Sequence, residues 1–342
     1  MVSSILSIAD SNNKIMAVSK IEQWRLDLAE VWRKMPYKGL FLGLLGAWVV
    51  LFQFLGNSTL GYVNTPSLFG WWIGTRVQGA GVVEGQGPAI VQVLSSEEGF
   101  ALVIPWVVPC LLWWKRSELV ALPKRIWWPA LVLFFLALLL HLLGYMVQQT
   151  RFSLVAFFVG IYAMMGLIWG WPWLRVTLFP FFLFAFCVPL GNSAEMITFP
   201  LRLLATKITV LLCHGLDIDV LREGNRVFDP LGKFQYEVAA ECSGIRSLTM
   251  MFALATIYGF VSFQANWKRL LIIMAALPLA VIGNVLRLTI IILAAEAGGK
   301  ASGDWVHTNS LFSLLPYVPA ILGISALGYW LEVKRKPKEK NP

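Results

Sequence analysis

Charged side chains are scarce in this sequence: only 14% of its 342 residues are Asp, Glu, Lys or Arg. A globular domain in water carries about a quarter, so a soluble enzyme is excluded. Histidine is nearly missing, with three residues, and no CxxC or HExxH pattern occurs, so no metal or other cofactor is expected. The four cysteines, Cys110, Cys187, Cys213 and Cys242, do not form a disulfide framework, and the first two sit inside apolar runs as small hydrophobes. Internal repeats and matched pairs of Gly- or Pro-broken helices are also missing, which counts against a transporter. The N-terminus lacks a cleavable signal, because residues 1–38 are polar and the first apolar run follows them.

What the chain has instead is apolar and aromatic surface. It is 58% hydrophobic, with 16 Trp and 22 Phe, as suits a polytopic protein with aromatic belts at two membrane interfaces. The net charge of +9 is not a nucleic-acid footprint, since the basic residues stand in short clusters beside apolar runs, as topology signals do. A span needs about 20 mostly apolar residues. Eight candidates fall near Leu40–Leu55, Phe100–Trp114, Ile126–Val147, Phe152–Trp169, Leu174–Leu190, Ser247–Phe263, Leu270–Ala295 and Leu311–Leu331. A ninth apolar stretch, Ile197–Cys213, is interrupted by Arg202 and Lys207. Lysine and arginine clusters before the first span, around Lys115–Arg125, at Lys268–Arg269 and in the tail agree on cytoplasmic sides only if that stretch does not cross.

The expected fold is therefore all-α and polytopic, with about eight transmembrane helices, both termini cytoplasmic, and Ile197–Cys213 as an interfacial helix. The expected parts are a cytoplasmic segment 1–38, one transmembrane domain 39–332 with outer loops 56–99, 191–242 and 296–310, and a basic tail 333–342. The segment "DIDVLREGNRVFDPLGKFQYEVAAEC" alternates β-prone stretches with the turns Glu223-Gly224-Asn225 and Asp229-Pro230-Leu231-Gly232. It predicts a small outer β-ribbon whose last strand, Phe234–Ala239, leads into Cys242. Loop 56–99, with Trp71 and Trp72, suggests a surface lying on the membrane and no chemistry.

Three reactive residues share the outer side. Cys242 precedes the Ser247–Phe263 span, with Ser243 as a candidate N-cap and Gly244 allowing close backbone approach. The helix dipole and Arg246 would lower the thiol pKa, whereas Glu241 opposes that unless it pairs with an arginine. Arg287, in "GNVLRLT", lies roughly 12 Å below the outer end of its span, with Asn284 on the same helix face. An arginine at that depth needs a polar pocket or an anionic partner, either a ligand or a carboxylate such as Glu241 or Glu296. His307, in the loop before the last span, offers an imidazole that can exchange protons. A thiol, an imidazole and a cationic oxyanion stabiliser suffice for acyl transfer through a thioester. Each also has a plain reading: a packing cysteine, a structural arginine, an inert loop histidine. His141 reads as a hydrogen-bonded core residue and His214 as interfacial. Cys213 and Cys242 share the outer side, so a bridge between them is allowed but not forced.

Over residues 100–335 the sequence resembles the exosortase/archaeosortase family of membrane transpeptidases. "ECSGIRSL" is similar to its cysteine motif, "GNVLRLT" to its arginine motif, and His307 falls where bacterial members carry the histidine. The resemblance implies processing of secreted, membrane-anchored proteins at a C-terminal sorting signal: a short motif, often Pro-Glu-Pro, then a transmembrane helix and a basic cluster. It implies Cys242 as nucleophile, Arg287 as stabiliser of thiolate or oxyanion, and His307 as general acid/base, in the bacterial cytoplasmic membrane with an extracytoplasmic site. Arg246 and Asn284 match the motifs as supporting residues. Charge alone suggests that Arg222, Arg226 and Lys233 dock an acidic motif residue. An amine acceptor or water would complete the reaction. The rival readings are a transporter or channel with Arg287 in an anion pathway, and a non-catalytic assembly factor.

Overall fold

The computed structural model describes residues 22–59, 63–79, 92–93, 99–189, 195–237, 245–309, 312 and 317–333. The chain divides into two compact units, Met1–Val83 with Pro105–Ala185, and Glu84–Ile104 with Phe186–Pro342. Each of the eight apolar stretches contains a helix. Four are long and apolar enough to cross a membrane: Lys38–Leu55, Pro129–Met146, Thr150–Trp169 and Asn266–His307. Gly99–Trp114, Trp171–Cys187 and Met250–Ser262 are shorter apolar helices, and Tyr317–Val333 carries the last stretch.

In the first unit, Pro129–Met146 and Thr150–Trp169 pack as an antiparallel pair closed by a three-residue turn. Phe135, Leu136, Leu139, Leu142 and Leu143 remain exposed, an outward apolar face that only a lipid environment tolerates. Lys38–Leu55 lies against Thr150–Trp169, where Trp48 donates its indole N–H to the Phe157 carbonyl at 3.0 Å. His141 is a satisfied core residue, as expected, with Nδ1 3.0 Å from the buried Ser153 hydroxyl. The stretch 56–99 is not simply a loop, because it includes the helix Leu68–Gly79 with Trp71 buried. Asn57 organises its start, holding the carbonyls of Val63 and Thr65 with its amide and accepting from the Thr59 backbone N–H and the Thr150 hydroxyl.

In the second unit, Ile197–Cys213 becomes the helix Glu195–Gly215. Its Arg202, Ala205, Thr206, Thr209 and Cys213 are buried, while Phe199, Leu204, Lys207 and Leu211 are exposed. The buried face thus carries the polar Arg202, Thr206 and Thr209, and the exposed face is largely apolar. Cys213 is buried as a free thiol, so it forms no bridge. The ribbon follows as three antiparallel strands, β1 Leu221–Glu223, β2 Arg226–Phe228 and β3 Gln235–Glu237, in the order β1-β2-β3. Glu223 pairs with Arg226 across a two-residue turn, and the buried Asp229 carboxylate accepts the Leu231 and Lys233 N–H groups in the second turn. Strand β3 is described only to Glu237, so the rest of the expected Phe234–Ala239 strand lies outside the described residues.

The largest correction concerns 296–310. The predicted loop is helical through Thr308, in one element of 43 residues, Asn266–Thr308, broken at Gly299 with φ 75° and ψ 179°. That backbone region is almost closed to other residues. The chain doubles back there. A Cβ on Gly303 would stand 2.8 Å from the Cβ of Ala295, and Ser302 donates its hydroxyl to the Gly298 carbonyl at 3.0 Å. Small residues at 295, 298, 299, 302 and 303 let the two arms approach. The stretch expected as an outer loop thus builds a helical hairpin, because packing overrides the poor helix propensity of its glycines. Val227, Phe234 and Tyr236 of the ribbon join Leu288, Ile291, Ile292, Ala295 and Val306 of the hairpin in one apolar core. At the other end Lys268 and Arg269 are buried, donating to the Leu331 carbonyl at 2.6 Å and the Phe263 carbonyl at 2.7 Å.

Candidate active site

The helix Ile245–Ser262 begins within the cysteine motif, and Arg246 is its second residue. Cys242, Ser243, Gly244 and Glu241 lie outside the described residues, as does the Arg246 side chain.

The other two members of the constellation are on the hairpin. Arg287 belongs to the arm 266–298 and His307 to the arm 300–308. A straight helix would hold residues 287 and 307 about 30 Å apart. The reversal at Gly299 instead brings Arg287 Nη2 to 3.3 Å from the His307 carbonyl, which accepts its hydrogen bond. His307 is therefore half-buried in the last turn of a helix, not in a loop. Arg287 is half-buried too, and its Nε is sealed from solvent without a hydrogen-bond partner. Glu296, one of the carboxylates weighed for Arg287, is instead paired with Lys233 at 2.9 Å. Among the described residues no carboxylate reaches Arg287. Asn284 is buried one turn before it, on the same face.

The ribbon is fastened to this hairpin at two points. The Lys233–Glu296 pair is one, and the carboxylate beside the ammonium raises the Lys233 pKa. Tyr236 is the other. Its hydroxyl lies 3.3 Å from the Lys300 carbonyl, to which it donates, and where Gly303 has no side chain. Burial pushes the Tyr236 phenol up to about 12, and the charge of Asp304 adds to the shift. Of the basic residues suggested for docking a substrate, Lys233 is thus engaged with Glu296, and Arg222 donates to the Leu203 carbonyl at 3.1 Å. Arg226 stands in the middle strand between Glu223 and Glu237. Tyr236, Gly299 and Gly303 drew no functional reading from the sequence, and only a helical reading of "AGGKASGDWVH" would have exposed them.

Apolar helices carrying a polar Arg-His hairpin, with a strand running from it toward a cysteine, define an integral membrane protein with a built polar site rather than a bare bundle. Residues 92–321, more than half of the chain, match the family model described as transmembrane exosortase, and the chain belongs to that family. The matched stretch contains the cysteine motif, the ribbon and the hairpin up to and beyond His307. No curated protein and no solved structure matches the chain.

Proposed function

We propose that this protein is a membrane cysteine transpeptidase that cleaves a C-terminal sorting signal from secreted proteins. The observation that carries the reading is the contact of Arg287 with the His307 backbone across the Gly299 reversal, within the stretch that matches the family. Cys242 is the nucleophile. Its thiolate adds to the scissile carbonyl, the carbon–sulfur bond forms, and the carbonyl electrons move to an oxyanion that Arg287 stabilises. The carbon–nitrogen bond then breaks, and the amine of the departing anchor segment takes a proton from the His307 imidazolium, which had received it from the Cys242 thiol. An acceptor amine or water attacks the thioester and gives its proton to His307, and the carbon–sulfur bond breaks to release the Cys242 thiolate. No cofactor enters the balance.

In this reading all eight apolar helices cross the bacterial cytoplasmic membrane within the single domain 39–332, and both termini are cytoplasmic. The ribbon and the turn at Gly299 then lie outside, and the substrate's own helix docks among the spans to bring its scissile bond to Cys242. Ser243, Gly244 and Arg246 support the thiolate from the start of the helix Ile245–Ser262, whereas Glu241 opposes it unless it pairs with an arginine. The test is processing, in membranes, of a secreted reporter ending in a Pro-Glu-Pro motif, an apolar helix and a basic cluster. Cys242→Ala abolishes it, and selective alkylation of Cys242 over Cys110, Cys187 and Cys213 marks the activated thiolate. Processing that survives Cys242→Ala overturns the reading.

A further inference from the structure

Tyr317 is the first residue of the helix Tyr317–Val333, and its hydroxyl donates to the Met250 thioether sulfur at 3.1 Å. A thioether is a weak acceptor, so the phenolic O–H is held without being strongly engaged. The packing of three helices shows what else stands near it. The helix Tyr317–Val333 lies against both Ile245–Ser262 and Asn266–Thr308. Met251, Ala276, Ala280, Ala320 and Ile324 belong to one apolar seam between them, and Tyr317 packs against it. Tyr317, Ala320 and Ile324 have the spacing of one helix face, and so do Ala280 and Arg287 on the other helix. Tyr317 and Arg287 therefore stand over the same seam, at its end nearest the ribbon.

Their heights agree as well. The two helices run antiparallel, because Lys268 near the start of one donates to the Leu331 carbonyl near the end of the other. Further along, the Leu279 side chain fills the space that Gly323 leaves open. From that level Tyr317 lies about 9 Å and Arg287 about 12 Å toward the ribbon, which differ by less than one helical turn. The Cα–Cβ bond of Tyr317 tilts toward the start of its own helix, in the same direction. Arg287 Nε is sealed from solvent without a hydrogen-bond partner. One donor without an acceptor and one donor on a weak acceptor thus share a seam and a height, beside the arm of His307. An oxygen that gains negative charge suits both, since it accepts shorter and stronger bonds than a neutral carbonyl. Exchange of sulfur for oxygen is then favoured most as charge develops, which lowers a barrier rather than tightening a complex.

We propose that Tyr317 is a further catalytic residue, whose hydroxyl leaves the Met250 sulfur and donates to the oxyanion that Arg287 stabilises. This rests on the transpeptidase reading. No proton changes owner in the exchange. The phenol donates its hydrogen bond to the oxygen as the Cys242 thiolate adds to the carbonyl, and it returns to the thioether when the carbonyl re-forms. Met250 is only the resting place of the hydroxyl and touches no reacting atom.

The experiment uses the full-length protein in detergent and the reporter described above, with Tyr317→Phe, Met250→Leu and Cys242→Ala. Phenylalanine keeps the ring against the seam and removes only the donor. Tyr317→Phe lowers kcat about a hundredfold with KM unchanged, the loss expected of one oxyanion donor. In a Cys242→Ala background, where the reporter is held and not cut, Tyr317→Phe captures as much reporter as its parent. Met250→Leu conserves volume and loses the sulfur, and its kcat stays within about threefold of native. If the hydroxyl only ties two helices together, Met250→Leu and Tyr317→Phe lose the same activity, and equal losses overturn the proposal. Native kcat in Tyr317→Phe overturns it as well. So does a fall in capture that matches the fall in rate, because the residue then acts on folding or on bound substrate. Failure of the thiol mechanism looks different. Processing that survives Cys242→Ala while Tyr317→Phe stays impaired discards the nucleophile and keeps the donor, since any nucleophile raises the same oxyanion.

Discussion

The Tyr236 hydroxyl occupies the space where a side chain on Gly303 would begin, 2.0 Å from the position of the missing Cβ. Through that contact the strand that leads to the cysteine motif rests on the arm that carries His307. The ribbon and the hairpin are consequently one framework, and the position of β3 depends on a residue with no side chain.

Gly303→Ala therefore forces Tyr236 away from the arm. Overpacking of this kind costs about 1–3 kcal/mol. The expected result is a lower thermal midpoint in detergent and slower reporter processing. Tyr236→Phe alone, which loses the bond to the Lys300 carbonyl, costs about 0.5–1.5 kcal/mol. Because the hydroxyl is the obstructing group, the double variant is more stable than the sum of the single losses. A coupling of zero in that cycle rejects the contact.

Gly299→Ala strains the reversal. At φ 75° and ψ 179° a side chain costs about 1–3 kcal/mol. Relief of that strain straightens the hairpin and parts Arg287 from His307. A disulfide or spin-label pair spanning the two arms reports the separation, and unchanged distances with unchanged stability contradict the role given to this glycine.

Arg287→Lys keeps the charge but loses the fork that donates to the His307 carbonyl and leaves Nε for a second acceptor. Removing one oxyanion donor costs about 10²–10³ in rate in comparable acyl-transfer sites. Processing falls by that order while the protein still accumulates in the membrane. Near-native rates in Arg287→Lys would confine the residue to a charge role.

The Lys233–Glu296 pair has a defined pH signature. The Lys233 pKa lies above its ordinary 10.5 in the folded state, because the Glu296 carboxylate accepts its hydrogen bond. A raised folded pKa means that the contribution is fully present below the unfolded value. It disappears as pH rises through the folded one. Both side chains are partly exposed, so the contribution is small and screened by salt. Melting curves of the native protein and Lys233→Gln should differ by a constant amount from pH 6 to 9 and converge as pH rises through the raised Lys233 pKa. A difference that grows with pH contradicts the pairing.

Sidedness can be read by labelling. Leu231→Cys, at the exposed tip of the ribbon, reacts with a membrane-impermeant maleimide in intact spheroplasts, whereas Lys34→Cys reacts only after lysis. The reverse pattern refutes the proposed orientation.

Hydropathy located eight apolar stretches that each contain a helix, because long apolar runs with few charges have no other stable form in lipid, but it missed the helix Leu68–Gly79. Turn chemistry located the ribbon, since Gly224-Asn225 and the Asp229 cap act within a few residues. Motif spacing picked out Arg287 and His307. What span counting misread was the stretch 296–310, expected as a loop between the last two apolar runs and in fact helical through Thr308. Lys268 and Arg269 were read only as topology charges, yet both are buried and hold the ends of neighbouring elements through backbone carbonyls.

By itself, then, the amino-acid order determined an apolar multi-helix protein with a small β-ribbon, and a cysteine, an arginine and a histidine in its last third. Each of those features follows from local composition and period. The tertiary structure decided that the chain reverses at Gly299, that His307 lies beside Arg287, and that Tyr236 seats the ribbon on Gly303. These depend on which small residues meet across a hairpin and on which polar groups find partners far away in sequence. Hydrophobic periodicity records burial but not the identity of the neighbour.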